Sequence, residues 1–110
     1  MRSSGVGRVA MGLAVMLAAA CRGPAPAARH HQVVIEGMAF RPAAIVVIPG
    51  DTITWTNRDI VPHTASGPGA GWDTGNVAAG AAVTVVVGPG GRGEYRCAYH
   101  PIMTGQLLAP

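Results

Sequence analysis

Beyond residue 32 the chain nowhere sustains the 3.6-residue apolar stripe of a helix; it runs through short stretches rich in valine, isoleucine, threonine and aromatics. VVIEGMAF, AAIVVIPG, TITWTN, AAVTVVVG and EYRCAY are each of strand length, and Pro49-Gly50-Asp51, Gly67 to Gly71 and Gly88 to Gly91 break the chain between them. In TITWTN, Ile53 and Trp55 alternate with Thr52, Thr54 and Thr56, the period-2 pattern of an antiparallel strand with one face in a core. Roughly seven or eight such strands within about eighty residues, cornered by glycine and proline, predict an all-β sandwich.

The residues ahead of this region read differently. Arg2 and Arg8 precede the apolar run VAMGLAVMLAAA, which is too short to span a bilayer comfortably and ends in small residues, so a secretory signal peptide is expected over 1–20. LAAAC resembles a bacterial lipobox with Ala18 standing where leucine is usual, which makes Cys21 the expected first mature residue and a lipidation site. The alternative is ordinary cleavage after Ala20 or within RGPAPAA. Residues 21–31, rich in proline and alanine, are expected to form a flexible tether in which His30 and His31 are solvated polar residues, with the folded domain at 32–110. The product would be exported to the periplasm or outer cell envelope, where lipid on Cys21 would attach it to a membrane.

Without the signal, six arginines face five carboxylates and there is no lysine, so charge gives no reason to expect a nucleic-acid partner. Two cysteines in an exported chain invite a disulfide, but Cys21 sits at the processing site and Cys97 among other metal-binding residue types. A reduced thiol in an oxidising compartment needs an occupation, and a metal supplies one.

CAYHPIM sets a thiol, an imidazole and a thioether three residues apart in turn: Cys97, His100 and Met103. These are ligands of soft transition metals, and the absence of carboxylates in the stretch speaks against magnesium and calcium. Zinc would accept Cys97 and His100 but gains little from Met103, whereas copper uses all three. One thiolate and two imidazoles with a weak axial thioether make a blue-copper electron-transfer centre. The second imidazole must come from His63, which a sheet would have to bring back to Cys97 from an early loop.

From about Ile45 to Leu108 the chain resembles the cupredoxins, most closely the amicyanin branch and more distantly plastocyanin and pseudoazurin. The resemblance rests on PGD leading into TITWTN, the Pro-His of VPHTAS, and GEYRCAYHPIM followed by GQLLA. It implies a Greek-key β-sandwich and a single copper ion, alternating between Cu(II) and Cu(I), on His63, Cys97, His100 and Met103, with His100 near the surface as the port for electrons. Pro62 and Pro101 would hold the two ligand loops by fixing backbone angles. Two positions depart from the branch. Thr64 follows the first histidine where asparagine is common, and its hydroxyl and N–H are expected to brace the loops and reach the thiolate. Tyr99 replaces a proline, and its extra N–H is expected to point at the Cys97 sulfur and raise the reduction potential.

Trp55, Met38 and Phe40 are expected to pack in the core or at a sheet edge, while Trp72 fits either a docking surface or a lid on the sandwich. The function implied is that of a monomeric one-electron carrier, not an enzyme, because four protein ligands leave no open position for a substrate. In the amicyanin branch the donor is a dehydrogenase and the acceptor a c-type cytochrome. The competing function is copper binding and trafficking in the cell envelope.

Overall fold

The computed structural model describes residues 26–110 and, ahead of them, four isolated glycines. The expected signal peptide over 1–20, Cys21 with its lipidation, and the first part of the tether lie outside the described residues. Nine strands follow: β1 (His30–Ile35), β2 (Phe40–Arg41), β3 (Ala44–Val46), β4 (Thr52–Asn57), β5 (Ser66–Gly67), β6 (Trp72–Asp73), β7 (Ala82–Val86), β8 (Gly93–Arg96) and β9 (Thr104–Leu108). They form two sheets, ordered β2-β1-β4-β7 and β3-β9-β8-β5-β6, and the all-β sandwich expected from the sequence is the fold observed. The sheets are mixed, not purely antiparallel. β1 lies parallel to β4, from His30 opposite Thr52 to Ile35 opposite Asn57, and β3 lies parallel to β9. Parallel neighbours need a crossover between them, and here the chain makes it by passing through β2 and then β3 in the opposite sheet.

β4 shows why these residues form this strand. Ile53, Trp55 and Asn57 point inward and are buried, while Thr52, Thr54 and Thr56 alternate on the outer face. The inward residues join Val33 and Ile35 of β1, Tyr95 of β8 and Leu107 of β9 in one core. Aromatic rings dominate it: Trp55 stacks on Trp72 at 5.1 Å between centroids, meets Tyr95 edge-on at 5.6 Å, and Tyr95 tilts against Phe40 at 4.7 Å. Two glycines make room for these rings. A methyl at Gly105, opposite Tyr95 in the β8–β9 ladder, would run into the phenol, and one at Gly67, opposite Trp72, would strike the indole. Burial pushes the Tyr95 phenol up to about 12. Trp72 therefore lies half-buried over the sandwich, its Nε1–H donating to the Gly91 carbonyl at 3.0 Å.

Two expectations are corrected here. Met38 is not packed in a strand: it is 41% exposed in the turn between β1 and β2, with φ of 59°. His30 and His31 are not tether residues, because β1 begins at His30. The cause is Asp51, almost fully buried, which accepts hydrogen bonds from the backbone N–H of Arg29 at 2.8 Å and of Ile48 at 3.1 Å and pairs with His31 Nε2 at 2.9 Å. Those bonds, led by the Arg29 N–H, hold the Asp51 carboxyl down at about 2.

Candidate metal centre

At the Ile35–Asn57 end of the sandwich, three side chains named from the sequence converge. Cys97 Sγ lies 3.7 Å from His63 Nδ1 and 3.8 Å from His100 Nδ1, and the three donor atoms are all within 4.8 Å of one another. Cys97 and His63 are fully buried, whereas His100 is half-buried with one side toward solvent. The two imidazole rings stand 5.1 Å apart at 61°. Met103 is buried in the same loop, 2% exposed.

Each donor is set by backbone bonds made elsewhere in the fold. His63 leaves β4 through a loop and forms a two-way bridge with Val77, His63 N–H to Val77 O at 3.1 Å and Val77 N–H to His63 O at 2.7 Å. Asn57, buried at the end of β4, shapes that loop by donating to the carbonyls of Val61 and Val77 and accepting from the Asp59 N–H. On the other side, Cys97 N–H donates to Met103 O at 3.0 Å and Met103 N–H to His100 O at 2.9 Å, closing Cys97 to Met103 into one tight loop between β8 and β9.

Thr64 joins the two loops as expected. Its N–H points at Cys97 Sγ across 3.4 Å, and its hydroxyl accepts from the Ala98 N–H at 2.7 Å while meeting the Ser66 hydroxyl at 3.1 Å. Tyr99 acts otherwise than expected. Among the described residues the backbone donor to Cys97 Sγ is Thr64, and Tyr99 contributes through its phenol, which donates to Asn76 Oδ1 at 2.9 Å. Since Val77 is bridged to His63, this contact ties the His100 loop to the segment that also holds His63. Pro62 and Pro101 sit exposed beside the two imidazoles.

One participant escaped the sequence reading. Asp59 Oδ2 lies 2.8 Å from His63 Nε2, and the same carboxylate accepts the N–H groups of Gly37 at 2.7 Å and Met38 at 3.0 Å. Burial works against its charge, but the N–H groups of Met38 and Gly37 and the His63 ring outweigh it and hold the carboxyl below its ordinary range. The spacing of four residues to His63 was visible in NRDIVPH; the partners in the β1–β2 turn were not.

The donor set itself tests what can bind. A buried sulfur receiving an N–H and flanked by two imidazole nitrogens fits a soft or borderline transition metal, and the nearest carboxylate, Asp59, is turned to the far nitrogen of His63. Copper fits this set.

No protein-family model and no curated protein matches the chain. Solved structures do. An oxidised single-residue variant of amicyanin is similar at 26% identity and a TM-score of 0.65, over 74% of this chain and 82% of that one. A reduced Cu(I) form of another amicyanin variant aligns at 26% identity and 0.64, over 78% and 85%. Amicyanin from Paracoccus versutus (Thiobacillus versutus) shares the fold at 24% identity and 0.62, over 82% and 87%.

Proposed function

From the premise that the chain is a cupredoxin similar to amicyanin, we propose that it is a type 1 copper protein that carries single electrons between redox proteins of the cell envelope. The observation that carries this reading is the convergence of His63, Cys97 and His100 from two separate loops onto one buried point. Copper bound there would supply a one-electron couple, and Met103, buried in the same loop, would add a thioether to the residues that hold it.

The chain's own part is to hold the donors still and to exclude water. A carrier works fastest when its ligands do not rearrange between oxidation states, and every donor here is pinned by backbone bonds or packed in the core. His100 is the ring a docked protein can touch. Around it the surface is apolar: Ile60 is 96% exposed, Ile102 is 91% exposed and Tyr99 is 49% exposed, with Val61, Pro62 and Pro101 beside them. An exposed apolar patch at a redox centre fits brief docking to other redox proteins, a dehydrogenase as donor and a c-type cytochrome as acceptor. Export through the peptide at 1–20, with lipid on Cys21, would place the domain where such partners meet. A trafficking protein needs an exchangeable metal, and the fully buried sulfur favours the carrier.

Loading the purified chain with Cu(II) is expected to give an intense visible band that vanishes with a reductant and returns with an oxidant. Cys97→Ser is expected to abolish the band; a colourless oxidised protein, or a serine variant of unchanged spectrum, defeats the reading.

A further inference from the structure

We propose that Asp59 is a positioning residue of the metal centre: its carboxylate fixes the tautomer and orientation of His63 and fastens that ring to the turn between β1 and β2. The proposal rests on the reading of His63 as a ligand.

A neutral imidazole carries one proton, so one nitrogen donates and the other accepts. An ionised carboxylate only accepts. With Asp59 Oδ2 at 2.8 Å from Nε2, the proton of His63 belongs on Nε2, and Nδ1 presents its lone pair 3.7 Å from Cys97 Sγ. The same fully buried ring thus has one nitrogen committed to a carboxylate and the other aimed into the donor cluster.

Asp59 is itself held on several sides. Its N–H donates to Asn57 Oδ1 at 2.9 Å, which fixes its backbone to the end of β4. Its Oδ1 and Oδ2 accept from Gly37 and Met38, two consecutive residues with φ of 62° and 59°. Left-handed backbone in a methionine is unfavourable on its own, and here it turns two successive N–H groups toward one carboxylate. A shift of that turn would therefore be felt at His63 through a single side chain.

A carboxylate on the outer nitrogen makes the inner one a stronger donor, which favours the more highly charged metal ion. Asp59→Asn keeps the shape but removes the charge. In the copper-loaded full chain it is expected to raise the reduction potential and to weaken metal binding by about 10–100-fold, while Asp59→Glu recovers most of both. The tautomer is read without metal: nitrogen NMR of the metal-free wild-type chain is expected to show His63 protonated on Nε2 and bare on Nδ1. A wild-type Nδ1–H tautomer overturns the proposal even where the asparagine variant does not fold. So does an asparagine variant with wild-type potential and affinity. Failure to bind copper with the Nε2–H tautomer intact would defeat the carrier function and leave the Asp59–His63 arrangement standing.

Discussion

Thr64 shows how much one residue can hold when its backbone and side chain serve different loops. Its N–H addresses the Cys97 sulfur and its hydroxyl takes the Ala98 N–H, so the two loops share one brace. That role was legible because Thr64 is next to His63 in the chain. Asp59 and Asn76 were not, because their partners come from turns that only the folded sheet brings near. The same holds at the other end for Asp51, whose depressed pKa carries a consequence for acid stability. The folded pKa of about 2 lies below the ordinary 3.8, so Asp51 stabilises the folded chain above about pH 4 and loses that contribution as pH falls toward 2. Denaturation followed between pH 5 and 2 is expected to show this loss in the wild type, and Asp51→Asn is expected to be less stable at neutral pH with a flatter acid limb.

Among the elements, the longer strands were readable, whereas the two-residue strands β5 and β6 at the glycine-rich break, and the partners of every strand, were not. TITWTN alternates as expected in β4, but that its neighbour β1 would run parallel to it follows from the crossover through the second sheet, which no local pattern encodes. The beginning of β1 was misplaced for a related reason: RHH has tether composition, and contacts with Asp51 and with Thr52 of β4 recruit it into the sheet. Glycines inside strands lower strand propensity and yet are required here, since Gly105 and Gly67 seat Tyr95 and Trp72 in the facing strands. Gly105→Ala is expected to destabilise the fold by about 1–3 kcal/mol, as overpacked cores do. Chemical denaturation measures it, and a neutral outcome would mean that Tyr95 can move aside.

At the level of the whole molecule, the loop from Cys97 to Met103 carries no charged side chain, and in the loop between β4 and β5 the one carboxylate, Asp59, is engaged with His63, which leaves Arg58 as the one exposed charge. Docking through this surface should therefore depend little on ionic strength. Stopped-flow electron exchange with a redox protein is expected to vary by less than about threefold between low salt and 0.15 M, where charge-steered pairs change far more. That His63, Cys97 and His100 would meet at one end was legible in the spacing, because ligands of such chemistry have few other uses in so short a chain. The orientation of that end relative to the start of the domain was hidden until β1 was placed. β1 starts beside Asp51 and finishes beside the Asp59 turn, so its six residues span the sandwich from one pole to the other, roughly 20 Å. Any leash leaving ahead of Arg29 thus grips the molecule by its foot. A copy fixed to an electrode through that stretch would hold its reactive crown toward the liquid, exchanging current poorly with the support and readily with proteins arriving from solution.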